Sequence, residues 1–221
     1  MNLLSQRSPI HEILEQLNAS WQTVTGQSYA VQLKPASSRI VDVKQLALCD
    51  VSGIPSWTFK GSGAAEWLGR YATRLPQELF ACELSEVRVT RTGGDEFLVE
   101  QIPNGTEPTW IGELNSTPNT FFTFPRQDAI FLLTGEKATQ VLAQTCGIDW
   151  GSVNNDTMVM TRVAGVSCNI LPLPLPEFER YQLRLDASYG IYLWNQLSTI
   201  CEELDGQVVG VELACPDWFR E

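Results

Sequence analysis

A ten-residue motif occurs twice in this chain and limits what it can fold into. Phe59-Lys60-Gly61-Ser62-Gly63-Ala64-Ala65-Glu66-Trp67-Leu68 returns as Leu133-Thr134-Gly135-Glu136-Lys137-Ala138-Thr139-Gln140-Val141-Leu142, 74 residues later and without a gap. Each copy reads as an apolar strand end, a glycine turn and a helix start with Ala and Leu at fixed places. A strand–turn–helix unit repeated in this way predicts one pseudo-symmetric domain. Its halves are expected at about 38–103 and 120–213 of a single domain over 1–221, preceded by an N-terminal helix over about 8–20.

The glycine turn invites a dinucleotide reading, which the residues refuse. Glu66 stands where the third small residue of the fingerprint belongs, and its carboxylate would oppose a pyrophosphate. No Gly-Lys-Ser/Thr triplet makes a phosphate loop either. What the two copies share is Gly, Ala and Leu, the residues of packing, so any ligand is expected between the halves.

Seven Trp and nine Phe in 221 residues are enough to build a globular core. The net charge of −11, with no Lys/Arg cluster, argues against a nucleic-acid partner. The six cysteines form no C-x-x-C pair and the only histidine is His11, so no metal site is expected. A catalytic Ser-His-Asp or Cys-His set has no credible histidine. No apolar leader opens Met1 to Ser8 and no run reaches membrane-spanning length, which predicts a cytoplasmic protein without a membrane partner.

Along the chain, Ser8 and Pro9 open a helix with Ile10, Ile13, Leu14 and Leu17 on one face. Strands are predicted at Ser38 to Val43, Leu46 to Cys49 and Ser56 to Lys60, with a helix from Ser62 or Gly63 to about Ala72. Glu86 to Arg91 and Glu96 to Glu100 form a hairpin around Gly93-Gly94-Asp95. Ile102 to Asn119 is a long connection between the halves. Phe121 to Phe124 and Ala129 to Leu133 are strands, and Glu136 to Cys146 is a helix stopped by Gly147. Met158 to Ile170 reads as one long or bent strand broken at Gly165. The alternating prolines of Leu171 to Pro176 suit only a loop or an edge. Tyr181 to Leu185 is a strand. Asp186 caps a helix whose inner face is Ile191, Trp194, Leu197, Cys201 and Leu204, ended by Gly206, and Val208 to Leu213 closes as a strand. The fold class is α+β, with helices on one face of mainly antiparallel sheets. Arg126 and Asp128 read as a surface ion pair.

Leu46 to Ser52 and Phe59 to Leu68 resemble the aminomethyltransferase (glycine cleavage T-protein) family of folate-binding proteins. Pro125-Arg126-Gln127-Asp128, Val141 to Asp149, Tyr189 to Trp194 and Gly206 to Gly210 agree, and they resemble most the branch of the heterotetrameric sarcosine oxidase gamma subunit. The resemblance runs from about Ile40 to Val211. It implies a duplicated folate-binding domain of two α+β halves; the C-terminal β domain of full aminomethyltransferases would not fit in this length. It also implies a place in one-carbon metabolism, tetrahydrofolate as a possible cofactor and flavoprotein oxidase subunits as possible partners. The family's catalytic Gly-Gly-x-x-Asp-Asp turn is only partly echoed by Gly93-Gly94-Asp95-Glu96, which makes Asp95 the candidate catalytic residue. Its Thr-Gly-Glu pterin segment is replaced by Pro176 to Tyr181, which makes Glu177, Glu179 and Tyr181 the pterin-site candidates. Two functions follow from the resemblance: a gamma-like subunit supporting an oxidase complex, or a stand-alone tetrahydrofolate-dependent aminomethyltransferase.

Overall fold

The computed structural model describes residues 7–24, 26–34, 42–71, 74–84, 87–102, 110, 112–113 and 119–219. The chain runs α1 (His11–Gln16), β1 (Ser20–Val24), β2 (Gln27–Gln32), β3 (Ala47–Asp50), β4 (Ser56–Lys60), α2 (Ala64–Leu68), β5 (Ala81–Leu84), β6 (Val87–Gly93) and β7 (Glu96–Gln101). It continues through β8 (Phe122–Pro125), β9 (Asp128–Thr134), α3 (Ala138–Thr145), β10 (Val159–Val163), β11 (Val166–Pro172), β12 (Arg180–Asp186), α4 (Gly190–Glu203), β13 (Gln207–Val209) and α5 (Val211–Ala214).

Two large sheets carry the fold. One has the order β5-β6-β7-β4-β8 and the other β10-β11-β12-β9-β3-β13, beside a separate β1–β2 hairpin. Pairing is antiparallel except for β13 against β3. The mixed α/β, mainly antiparallel architecture agrees with the expected class. Two strands lie away from their chain neighbours. Strand β3 precedes β4 but pairs with β9, and β8 precedes β9 but pairs with β4.

Apolar alternation decides which faces are covered. Phe131, Leu133, Leu183 and Leu185 look toward α3 and α4, where they meet Val141, Leu142, Trp194 and Leu197. In the other sheet Trp57, Phe59, Phe97 and Val99 pack on Trp67 of α2 with Trp110 and Phe121. A third cluster covers the opposite face of β3 and β9. There Ala47, Cys49, Ile130 and Leu132 meet Val209, Val211 and Ala214. Strand β9 is therefore buried along its whole length, which explains its unbroken apolar run.

The two motif glycines do similar work. Gly61 has φ +135 and Gly135 φ +108, values that a side chain disfavours. A Cβ would lie 2.6 Å from Thr120 O at Gly61 and 2.5 Å from Gln45 O at Gly135. Each turn thus admits the chain entering β8 or β3.

Several expectations need correction. The N-terminal helix spans only His11–Gln16 rather than 8–20, because Asn18 turns left-handed (φ 54) and the β1–β2 hairpin follows. Met158 to Ile170 is a hairpin, not one strand: Ala164 (φ 47) and Gly165 (φ 85) form a two-residue turn between β10 and β11. The proline run begins inside β11, where Pro172 pairs with Tyr181 beyond the reach of β10. In α4, Leu193 is buried while Ile191 is half exposed. Asp205 (φ 64), not Gly206, takes the left-handed position after α4, and Gly206 makes room for Leu46. Cys146, in extended conformation, ends α3. Val208 to Leu213 splits into β13 and α5 at Gly210, against which Val31 packs too closely for a Cβ. The strand expected at Ser38 to Val43 and the connection from Ile102 to Asn119 lie mostly outside the described residues.

Candidate ligand cavity between the sheets

The alternation that sends Tyr181, Leu183 and Leu185 of β12 toward the helices sends Arg180, Gln182 and Arg184 toward the other sheet. On β7 it sends Phe97 and Val99 to the aromatic core and Glu100 the opposite way. The sheets therefore meet through polar side chains. Arg184 Nη2 donates to Glu100 Oε1 at 2.5 Å, and its Nη1 donates to Asp128 Oδ2 at 2.6 Å and Ser56 Oγ at 3.1 Å. Gln182 Nε2 donates to Glu100 Oε1 at 2.5 Å. Arg126 completes the group with Nη2 on Asp128 Oδ1 at 2.7 Å.

Arg184, Glu100 and Asp128 are 4%, 2% and 7% exposed, so their charges stand only because they are paired. Burial pushes the Glu100 carboxyl up, but the Arg184 and Arg88 guanidiniums outweigh it and hold the group below its ordinary value. Burial raises Asp128 too, and Arg126 and Arg184 bring it down. The pair expected on the surface, Arg126 and Asp128, thus has its carboxylate buried and shared with Arg184.

Beside this network lies a cavity of about 290 Å³. Its polar wall is Glu83, Arg88, Glu100, Arg180 and Gln182, and Leu132 and Trp218 contribute to the apolar wall. Arg88 Nη2 donates to Glu83 Oε1 at 2.7 Å. Gln101 is 2% exposed and its Nε2 has no hydrogen-bond partner among the described residues. By the same alternation its side chain faces the aromatic core, beside Val99 and opposite Val87, on the other side of β7 from Glu100. The wall offers donors and a carboxylate over an apolar surface, the chemistry that reads the edge of a flat heterocycle. The volume suits a bicyclic ring rather than a long ligand.

The four sequence candidates lie elsewhere. Glu177 is exposed and ion-paired with Lys44. Glu179 is exposed, accepts from Tyr181 Oη at 3.3 Å, and its carbonyl accepts the Gly135 N–H at 2.8 Å. Tyr181 is buried on the helix side, its ring 5.1 Å from Trp150. Asp95 sits exposed in the β6–β7 turn, its carbonyl accepting the Gly61 N–H at 2.9 Å. The cavity is reached by their neighbours Arg180 and Gln182. A charged or amide residue inside an apolar strand (Glu100, Gln182, Arg184) was the available signal. Asp50 is also buried, at the end of β3, and burial pushes its carboxyl up to about 6 against hydrogen bonds from Ser52 and Ser8.

No cluster of three or more potential metal ligands occurs among the described residues. No helix there is long and apolar enough to cross a membrane. Neither a family model nor a curated protein matches the sequence. Solved structures do. Glycine cleavage system aminomethyltransferase T from Bartonella henselae matches with a TM-score of 0.72 at 15% identity, over 95% of this chain and 60% of that one. The chain thus spans 60% of the length of that aminomethyltransferase. Heterotetrameric sarcosine oxidase from Corynebacterium sp. U-96, in complex with pyrrole 2-carboxylate, matches with a TM-score of 0.68 at 15% identity, over 91% of this chain and 97% of that one. The protein therefore has the aminomethyltransferase-like fold that its short motifs resemble, shared with a chain of the heterotetrameric oxidase.

Proposed function

We propose that the protein is a gamma-like subunit of a sarcosine-oxidase-type complex, a folate-binding-fold scaffold that supports a flavoprotein partner. What supports this reading is that the similarity takes in 97% of a chain of the heterotetrameric oxidase and 91% of this one. The site agrees. Both cavity carboxylates, Glu83 and Glu100, are engaged by arginines, and Asp95 stands on a surface turn. Neither arrangement supplies a poised acid or base.

The chain is a single domain of two related halves in this reading. Both sheets run edge–β–β–motif strand–crossed strand, and the motif glycines share their left-handed backbone. Tetrahydrofolate, when bound, takes up a one-carbon unit. Glu100 and Gln182 would hold its pterin ring, and Arg88 would face its edge. The cavity keeps the second reading, a stand-alone tetrahydrofolate-dependent aminomethyltransferase, in play.

Co-purification and one-carbon transfer separate them, and calorimetry tests the cavity they share. Co-expression with the flavoprotein oxidase subunits of the same organism should give a co-purifying complex. Calorimetry of the full chain with tetrahydrofolate should show binding weakened by Glu100→Gln and Gln182→Leu but unchanged by the Glu177→Ala/Glu179→Ala double variant. One-carbon transfer by the isolated chain would sink the subunit reading in favour of the enzyme.

A further inference from the structure

Strand β8 ends the five-stranded sheet, and its outer edge has no partner among the described residues. It is also apolar: Phe122 is 74% exposed and Phe124 43%. Its counterpart in the other sheet shows what covers such an edge. Phe122 pairs with Lys60 and Phe124 with Thr58; Ala47 pairs with Thr134 and Cys49 with Leu132. The 74-residue motif offset matches Lys60 to Thr134 and Thr58 to Leu132, so Phe122 holds the place of Ala47 and Phe124 that of Cys49.

Ala47 and Cys49 are 0% and 1% exposed. Strand β13 adds parallel to their edge, Gln207–Val209 against Ala47–Cys49, and Val211, Ala214 and Trp218 then fold over the same face. At β8 no such layer occurs among the described residues. The edge is ready to receive it. Arg126 N–H donates to Ser56 O at 2.8 Å, so by alternation the N–H and C=O of Thr123 point outward. Thr123 holds the place of Leu48, the middle of the β13 pairing. Pro125, which could guard an edge, lies past that three-residue stretch.

We infer that β8 is the docking strand for a heterologous subunit, which supplies a short apolar strand parallel to β8 and an apolar turn that covers Phe122 and Phe124. This rests on the subunit reading above. A second copy of this chain fits poorly. Two identical edges related by a two-fold axis pair antiparallel, whereas β13 sets a parallel template. A net charge of −11 on each copy also opposes self-association and favours a neutral or basic partner segment.

The test uses the full chain co-expressed with the flavoprotein oxidase subunits. Three variants are compared: Phe122→Asp/Phe124→Asp, Thr123→Pro, which removes the outward N–H, and Ile191→Asp, an exposed apolar position on α4. Circular dichroism and thermal melting check that each is folded. The wild type and Ile191→Asp should retain flavoprotein, and the two β8 variants should retain about tenfold less or lower. Thr123 amide exchange should slow on assembly. If the β8 variants assemble like the wild type, β8 is not the docking strand and the subunit reading survives. If the wild type binds no flavoprotein, both are rejected.

Discussion

Arg184 holds two carboxylates from different strands, Glu100 and Asp128, and all three are buried. A buried ion pair adds little net stability, but removing one partner strands the others. Arg184→Met should therefore cost about 3–5 kcal/mol in urea unfolding at pH 7. The loss should shrink toward pH 4 as the stranded carboxyls take up protons; an equal loss at every pH would refute the account. Asp50 works in the opposite sense. Its folded value of about 6 lies above the ordinary carboxylate range, so the native state binds the proton more tightly than the unfolded chain. The burial penalty is full above pH 6, about 3 kcal/mol at most, and fades as pH falls through 6 toward 4. Asp50→Asn should be more stable than wild type at pH 8 and converge with it by pH 4. Glu100 and Asp128 have depressed values, so their contribution is present above the ordinary range and lost on acidification. Comparing wild type with the Asn variant isolates Asp50 from this opposing trend. None of these groups stood out in the sequence as a network. Glu100 and Arg184 are 84 residues apart, and only strand pairing brings them together.

Glycine turns separate two costs at the level of single elements. At Gly165 a Cβ would meet nothing, so Gly165→Ala pays only for its left-handed backbone, about 1 kcal/mol. At Gly135 the same backbone comes with Gln45 and Leu46 atoms at 2.5–2.7 Å, so Gly135→Ala should lose at least about 3 kcal/mol. Equal losses in the two variants would mean that the close approach to Gln45 does not matter. Strands with strong apolar patterns, such as Ser56–Lys60 and Asp128–Thr134, were legible from sequence to within a residue. The hairpin at Ala164-Gly165 was not, because one glycine marks a break as readily as a turn. The β1–β2 hairpin escaped because β1 is too polar to mark a core face, and β5 because its four residues are too few to show a period. Glu177, Glu179 and Tyr181, the candidates named from sequence, lie off the cavity, while their neighbours Arg180 and Gln182 line it. A two-residue period makes a one-residue error a change of face.

For the whole molecule the decisive feature is the crossing of β3 and β8 into the sheets of the other half. The repeated motif predicts two units, but consecutive strands usually lie side by side, and nothing local in Ala47–Asp50 announces that it bypasses β4. The consequence is mutual dependence. Residues 7–102 lack the edge strand β8, and residues 119–219 lack β3, which stands between β9 and β13. Without β3, the face formed by Ile130, Leu132 and Val209 loses Ala47 and Cys49, and β13 loses its partner. The Arg184–Glu100 bond spans the two pieces as well. Neither piece can close its own core, so the full chain should unfold as one cooperative unit. Urea transitions followed by tryptophan fluorescence and by far-ultraviolet circular dichroism should coincide. The fluorescence reports both halves, since Trp57, Trp67 and Trp110 lie in one core and Trp150 and Trp194 in another. Expressed alone, residues 1–118 should show no cooperative transition, and adding residues 119–221 should restore one. A separate, earlier transition of the aromatic core would show that the exchanged strands do not tie the halves together.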